Sequence, residues 1–171
     1  MPVTRLNHAV LYVRDVQRSV AFYEATLGFT PVMRLPGAAF LQASGSNNDH
    51  DLGLFQIGPQ AGPSGAGRTT VGLYHLAWEV DTLDELGQTR QRLVAADALV
   101  GATDHGTTKA LYAHDPDGIE FEVSWLVPAD LLTDEILASR ENMTALDLDA
   151  AKVQFGAQTL GGIGISIPVA R

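Results

Sequence analysis

The sequence predicts an α+β protein built from two βαβββ modules. Three observations support this fold class: a strand that leads directly into an amphipathic helix occurs twice, three short β-like segments follow each of these helices, and a stretch rich in glycine and proline separates the two copies. One module alone is too small to bury its sheet well. We therefore expect the two modules to pair into a curved sheet around a shared cavity.

The first module is predicted to occupy residues 1–57. Residues 7–15 alternate between apolar and polar side chains and end at Asp15, a residue type that often begins a helix. Apolar residues then recur at helical spacing as far as Gly28, which predicts the end of the helix. The β-like segments that follow lie at about 30–35, 38–44 and 51–57.

The second module is predicted to occupy residues 72–127 and repeats this pattern. Residues 74–81 repeat the strand, and residues 82–96 repeat the helix. His8 and His75 hold equivalent positions in the two copies, because each stands five residues before a valine. The β-like segments of this module lie at about 98–103, 108–114 and 119–126.

Two further segments complete the predicted organisation. Residues 58–71 are rich in glycine and proline and predict a flexible linker, since they favour neither helix nor strand. Residues 128–171 form a C-terminal extension of different character. Within it, residues 131–148 predict one or two helical turns, with Thr133 as the start of a helix.

Composition excludes several classes of function. Eleven Lys and Arg residues against 20 Asp and Glu residues give a formal net charge of −9, which repels nucleic-acid phosphates and anionic membrane surfaces. We therefore expect no nucleic-acid partner and no membrane partner. No apolar run is long enough for a signal peptide or a membrane span, so we expect a cytoplasmic protein.

The absence of cysteine restricts the chemistry further. A chain of 171 residues with no cysteine cannot build a thiolate zinc site, an iron–sulfur cluster or a catalytic thiol. Any metal site must therefore use histidine and carboxylate ligands. The chain has five histidines from which such a site could be built.

The alternation of side chains along the predicted strands identifies three candidate metal ligands. In the predicted strands at 74–80 and 119–125, His75 and Glu122 lie on the less apolar face, and His8 has the analogous place in the first module. Each could be an ordinary polar residue satisfied within its sheet. If the modules curve around one cavity, however, the three could converge as a facial triad, which suits Fe(II) but also accepts Mn(II) or Zn(II).

These residues lie in segments that resemble a known family. The strands at 6–13 and 74–80, and the run 104–122 with its Asp-Pro-Asp-Gly turn, are similar to the vicinal oxygen chelate superfamily, and within it to the extradiol, or catechol 2,3-dioxygenase-like, branch. The resemblance covers roughly residues 3–127. It implies a ring-opening, meta-cleaving dioxygenase that acts on a small aromatic diol with O2, and a homodimer or higher oligomer.

The resemblance also implies roles for individual residues. It implies that His8, His75 and Glu122 hold Fe(II), with Mn(II) or another divalent metal as an alternative. It further implies that three residues around the metal assist proton transfer to substrate and oxygen. These are His50, His105 and Tyr112. Two of them have structural alternatives: Tyr112 could simply pack within its strand, and His50 could be a residue of a surface turn. We assign no function to His114.

Other activities of the same superfamily remain as alternatives. Glyoxalase I uses a glutamate from each module, but no glutamate occurs between Glu24 and Glu79, which argues against that activity. A fosfomycin-resistance-type transferase shares the ligand triad but needs cations for its phosphonate, and few occur in the relevant segments. Two further alternatives stay open. One is an epimerase or isomerase of the same superfamily, and the other is a metal-free protein that binds an aromatic ligand or confers resistance.

Overall fold

The structure, a computed structural model, describes residues 2–3, 5–66 and 69–162. It contains α-helices together with two mixed β-sheets, so the predicted α+β class is confirmed. Residues 67 and 68 of the predicted linker lie outside the described residues. None of the helices in the described part of the chain has the length and apolar composition needed to cross a membrane.

The chain divides into two compact units. Unit 1 contains the chain as far as Gly65 together with the short segment Asp115–Ile119. Unit 2 contains Ala66–His114 together with the chain from Glu120 onward. The chain therefore leaves unit 2, contributes five residues to unit 1, and then returns to unit 2.

Unit 1 has the predicted βαβββ order. Its elements are β1 (Ala9–Val13), α1 (Val16–Leu27), β2 (Thr30–Leu35), β3 (Ala38–Gln42) and β4 (Leu52–Gln56). The strands lie in the order β1-β4-β3-β2, with β1 parallel to β4 and the other neighbours antiparallel. The two faces of this sheet differ, because Leu11 and Val13 are buried whereas Val10 and Tyr12 are exposed.

Unit 2 repeats this order. Its elements are β5 (Leu76–Glu79), α2 (Leu83–Ala95), β6 (Leu99–Asp104), β7 (Thr108–His114) and β8 (Glu120–Leu126). The strand order β5-β8-β7-β6, with β5 parallel to β8, matches unit 1. The duplication predicted from the sequence is therefore present in the fold. Strand β5 is shorter than predicted, so His75 lies directly before it.

Both long helices begin at the residues that the sequence indicates. The Asp15 carboxylate accepts hydrogen bonds from the backbone N–H groups of Gln17 and Arg18, which begins α1. Gly28 ends this helix with a φ of 70°, a backbone conformation that favours glycine. Thr82 begins α2, because its hydroxyl accepts a hydrogen bond from the backbone N–H of Glu85 at 3.1 Å.

Besides two single turns of 3-10 helix, the described part of the C-terminal extension adds two α-helices and one short strand to unit 2. These are α3 (Asp134–Ala138), β9 (Thr144–Ala145) and α4 (Leu148–Phe155). Helix α3 begins after Thr133, as predicted, and β9 pairs antiparallel with β6 at the edge of the sheet. The sequence did not predict β9 or α4, because a two-residue strand has no periodicity and the predicted helical stretch ended at residue 148.

Helix α4 is fixed to unit 2 by aromatic packing and by one ion pair. The Phe155 ring lies 5.5 Å from the ring of Trp125 on β8. The indole N–H of Trp125 donates a hydrogen bond to the Thr159 carbonyl at 3.1 Å. On α4 itself, the Lys152 ammonium lies 3.0 Å from the Asp84 carboxylate. The extension as far as Gly162 is thus an integral part of unit 2, and residues 163–171 lie outside the described residues.

The segment Asp115–Ile119 forms a tight turn around a buried carboxylate. Asp115 accepts hydrogen bonds from the backbone N–H groups of Asp117 and Ile119, at 2.8 and 2.9 Å. Gly118 has a φ of 82°, which a side chain would disfavour. The Asp-Pro-Asp-Gly sequence therefore acts as a turn, as predicted.

This turn is also held by Arg14, which lies between β1 and α1, and by two residues of α1, in contacts that we call the turn clamp. Arg14 donates to Asp117 from both its backbone N–H and its guanidinium, each at 2.8 Å. Arg18 donates to the Pro116 carbonyl at 2.9 Å. Tyr23 donates to Asp115 at 3.2 Å, and burial together with this carboxylate holds the pKa of Tyr23 well above its usual value. The hydroxyl therefore keeps its proton.

The turn clamp should contribute more to stability than an exposed ion pair. We expect Asp117→Ala to lower the free energy of unfolding by about 2 kcal/mol, because it leaves the partly buried Arg14 without its carboxylate. The matched control is Glu24→Ala, which removes an exposed pair with Arg34 and should cost less than about 1 kcal/mol. Urea denaturation measures both values, and equal losses in the two variants would contradict this account.

Docking of α4 gives a second stability prediction. Phe155→Ala should destabilise the protein by about 3 kcal/mol, because it leaves a cavity beside Trp125. Val153 lies on the same helix but is 88% exposed, so Val153→Ala should change stability by no more than about 0.5 kcal/mol. The comparison can be made by thermal and chemical unfolding. If both variants unfold like the unmodified chain, α4 does not dock as described.

Candidate functional site

Unit 1 brings two of the candidate histidines together. His8 lies directly before β1, and His50 lies in the loop between β3 and β4. Their ring centroids are 4.5 Å apart. The His50 and Phe40 rings also form a T-shaped contact with their centroids 5.0 Å apart, and the His50 side chain is largely covered. His50 is therefore a packed neighbour of His8 rather than a free surface turn residue.

The loop that carries His50 is organised by a buried carboxylate. Asp51 accepts hydrogen bonds from the backbone N–H of Ala43, the Ser46 hydroxyl and the Asn48 amide, at 2.7–2.8 Å. Asn48 also donates to the Asn7 carbonyl, next to His8, at 2.8 Å. These bonds fix the loop against the start of β1. The position of His50 beside His8 thus follows from local hydrogen bonding.

The neighbours of these two imidazoles indicate which ring nitrogen carries the proton. His50 Nδ1 lies 2.9 Å from a carboxylate oxygen of Asp49, and His8 Nδ1 lies 2.8 Å from the amide oxygen of Asn7. Because both oxygens are acceptors, each Nδ1 must donate. The lone pair of Nε2 then remains available on both rings. Neutral imidazoles in this tautomer can bind a metal or accept a proton.

Unit 2 brings together a histidine and two carboxylates. His75 Nε2 lies 3.3 Å from Glu122 Oε2, and His75 Nδ1 lies 3.9 Å from Glu120 Oε1. Both glutamates are on β8, on the face opposite its buried apolar residues. The register Ala77 opposite Glu122 places this face beside the start of β5. The strand parity predicted from the sequence therefore matches the structure.

Tyr112 and His105 complete the polar face of unit 2. Tyr112 lies on β7 directly opposite Glu122, and its hydroxyl is 2.9 Å from His105 Nε2. Burial raises the pKa of Tyr112 to about 12, with smaller contributions from the charge and hydrogen bonding of Glu122. The hydroxyl therefore stays protonated near neutral pH and can donate a hydrogen bond. The ring of His75 packs against Tyr112 at 5.8 Å.

Sequence reasoning missed one residue of this face. Glu120 lies between two imidazoles, because its second oxygen is 3.6 Å from His114 Nε2. The pairing of His114 opposite Glu120 explains this contact. The same parity that identified Glu122 also places Glu120 on its face, so the signal was present in the sequence. Nothing in the sequence, however, distinguishes a glutamate that contacts a histidine ligand from a glutamate that is itself a ligand.

The donor atoms of unit 2 fit a divalent metal. Ligand atoms bound at 2.0–2.2 Å lie about 3 Å apart around one ion, which is close to the 3.3 Å between His75 Nε2 and Glu122 Oε2. The buried His75 Nδ1 has no hydrogen-bond partner among the described residues. Imidazole and carboxylate together suit Fe(II), Mn(II) or Zn(II).

The predicted three-ligand set draws on both units. His75 and Glu122 lie together in unit 2, whereas His8 lies beside His50 in unit 1. Among the residues that the structure describes, no group of three or more His, Cys, Asp or Glu side chains lies together in a way that could hold a metal ion. The set of His8, His75 and Glu122 therefore stays a prediction.

Comparison with known proteins places this site in a family. The family described as Glyoxalase/Bleomycin resistance protein/Dioxygenase superfamily matches residues 5–123. The chain is 32% identical over 120 residues to the catechol-2,3-dioxygenase of Bacillus subtilis, a match that covers 70% of this chain and 41% of that protein. The chain thus spans about two fifths of the length of that relative.

Two further similarities extend this finding. The chain is 33% identical over 146 residues to biphenyl-2,3-diol 1,2-dioxygenase 3 of Rhodococcus globerulus, covering 78% of this chain and 71% of that protein. A fosfomycin resistance protein of Listeria monocytogenes, solved with Mn(II) and a dihydroxypropylphosphonic acid, matches with a TM-score of 0.57 at 18% identity. That match covers 82% of this chain and 98% of the other, and it concerns the fold alone.

The resemblance seen in the sequence is thereby confirmed. Since the family match covers most of the chain and both units have the duplicated βαβββ topology, this protein belongs to the Glyoxalase/Bleomycin resistance protein/Dioxygenase superfamily.

Proposed function

We propose that this protein is an extradiol, ring-opening dioxygenase that acts on a catechol-type aromatic diol with O2. The observation that supports this most directly is the polar face of unit 2. There a potential ligand pair, His75 and Glu122, lies beside a hydrogen-bonded pair, His105 and Tyr112. The first pair can hold a metal, and the second can exchange protons with a substrate bound to it.

In this proposal Fe(II) is held by His8, His75 and Glu122. Three ligands on one side of the ion would leave positions open, and there Fe(II) would bring the diol and O2 next to each other. The protein's own task is to present the lone pair of His75 Nε2 and the charge of Glu122 together. His8 can contribute in the same way, because Asn7 holds the proton on Nδ1 and leaves Nε2 free.

Tyr112 and His105 are proposed to handle the protons of the diol. The Tyr112 hydroxyl keeps its proton, because burial and Glu122 raise its pKa to about 12. It can therefore donate a hydrogen bond to a substrate oxygen near Glu122. His105, 2.9 Å from this hydroxyl, can take up or return a proton through Nε2. The pair thus connects the substrate oxygen to an imidazole nitrogen that can accept a proton.

His50 is proposed to act on the oxygen side of the reaction. It packs against His8, so a group bound next to His8 would also be near His50. Asp49 holds the proton of His50 on Nδ1, which leaves Nε2 able to accept a proton or, once protonated, to donate one. The Phe40 and His50 rings pack against each other in a T-shaped contact.

Two further observations favour a dioxygenase over the alternatives. The two relatives are named as dioxygenases, one for catechol and one for biphenyl-2,3-diol. In addition, the polar face formed by β5–β8 carries no lysine or arginine among its described residues; Lys109 projects to the opposite face, where it bonds Asp104. A phosphonate substrate, as a fosfomycin-resistance-type transferase requires, would find no cation on that face.

The proposed reaction can be tested directly. The protein is loaded with Fe(II) without oxygen, and a panel of catechols is then added in air. We expect a yellow ring-opened product that depends on Fe(II), since opening beside the diol gives a conjugated acid. Protein without Fe(II) is the control. No product from a broad panel, together with aromatic-ligand binding that ignores chelators, would favour the metal-free binding alternative.

The proposed roles of the two unit 2 histidines should separate in mutants. His75→Ala should abolish binding of Fe(II), because it removes a ligand that the neighbouring Glu122 cannot replace. His105→Ala should bind Fe(II) normally and lower kcat by on the order of 10²-fold or more, because it removes only a proton acceptor. Metal titration and steady-state kinetics distinguish these outcomes. Full activity in either variant would contradict the assigned role.

A further inference from the structure

We infer that Glu120 is a positioning residue for His75: its carboxylate accepts the Nδ1 proton of His75 and so directs Nε2 toward the metal. This inference rests on the proposed function, because it takes His75 as a ligand. It concerns a residue that lies two positions from Glu122 on the same face of β8. Glu120 itself is not assigned as a ligand.

The first observation is an unsatisfied polar atom. His75 Nδ1 is buried and has no hydrogen-bond partner among the described residues. Buried N–H groups in proteins nearly always have a hydrogen-bond acceptor, so we expect one for a proton on His75 Nδ1. The carboxylate oxygen of Glu120, at 3.9 Å, lies slightly beyond hydrogen-bond distance. A small rotation of the glutamate side chain would close the gap.

The second observation is the strand register. In the parallel pair, Leu76 lies opposite Phe121 and Ala77 lies opposite Glu122. Extending this register by one residue places His75 beside Glu120. The backbone therefore holds Glu120 next to Nδ1 while Glu122 lies next to Nε2. One imidazole thus has a carboxylate at each of its nitrogens.

This arrangement has a chemical consequence. Only one ring nitrogen of a neutral histidine carries a proton. An acceptor at Nδ1 keeps the proton there, so the Nε2 lone pair points toward Glu122 and any ion between them. Carboxylates placed in this way also make the imidazole a stronger ligand, and their loss typically weakens metal binding 10–100-fold.

His114 is the other group that faces Glu120. Its Nε2 lies 3.6 Å from the second carboxylate oxygen, and its side chain is 47% exposed. The two imidazoles therefore use different oxygens of one carboxylate. Since His114 has access to water, losing it should not disturb the position of Glu120 beside His75.

The test measures metal binding by the full chain, independently of turnover. Mn(II) affinity is determined by calorimetry for the unmodified protein, Glu120→Gln and Glu120→Ala. We expect about 10-fold weaker binding for the glutamine variant, whose neutral amide oxygen is a weaker acceptor, and up to about 100-fold for the alanine variant. Glu120→Asp should recover part of the loss. The visible spectrum of bound Co(II) should also change, because the orientation of the imidazole changes.

Two controls separate positioning from charge and from folding. Glu79→Gln removes a carboxylate from the same face of β5, and His114→Gln removes the other partner of Glu120. Both should bind Mn(II) within about 3-fold of the unmodified protein, since neither side chain pairs with Nδ1. Unfolding of the metal-free Glu120 variants by urea should show no matching loss. Equal weakening in Glu79→Gln would assign the effect to charge alone.

The outcomes also distinguish this inference from the proposed function. If His75→Ala abolishes Mn(II) binding but Glu120→Gln and Glu120→Ala bind normally, the positioning role is wrong and the ligand role stands. If His75→Ala binds Mn(II) as well as the unmodified protein does, the proposed metal site fails as well. Weaker binding confined to the Glu120 variants, with an altered Co(II) spectrum, supports the inference.

Discussion

The constraint on which the rest of the structure depends is the turn clamp. The turn Asp115–Ile119 interrupts the path between β7 and β8 and belongs to unit 1, where Arg14 and Tyr23 hold its two aspartates. Strand β8 begins at the next residue and carries Glu120 and Glu122. The residue directly before this strand, Ile119, therefore belongs to a turn that Arg14, Arg18 and Tyr23 hold within unit 1. The clamp consists of an ion pair, Arg14 with Asp117, and a buried hydrogen bond, Tyr23 with Asp115. Such bonds depend on the direction of approach, so they fix the orientation of the turn as well as holding it.

The duplicated topology explains why the candidate site is built as it is. In each unit, a parallel pair of strands brings the end of the module next to its beginning: β4 beside β1, and β8 beside β5. A histidine placed just before the first strand therefore has the last strand, or the loop before it, as its neighbour. In unit 2 that neighbour is Glu122, and in unit 1 it is His50. The equivalent histidines of the two units thus have different partners.

Much of this could be predicted from the sequence, because its signals are local. Asp15 and Thr82 cap their helices, Gly28 ends one, and alternation along β8 places Glu122 opposite the core. The contacts that sequence reasoning missed are long-range. The bond between Arg14 and Asp117 joins residues 103 positions apart, and no periodicity reports it. Glu120 shares the parity of Glu122, so only geometry shows that it faces the other nitrogen of His75.

The pairing of β9 with β6 has a consequence for solubility. An outer strand exposes a row of unpaired N–H and C=O groups that can recruit a strand from another molecule and start aggregation. In unit 2, Thr144 and Ala145 cover part of that row on β6. The equivalent strand of unit 1, β2, instead contains Pro31 and an irregular register beside it. The two sheets thus protect corresponding edges by different means, one by a covering segment and the other by a residue that cannot donate.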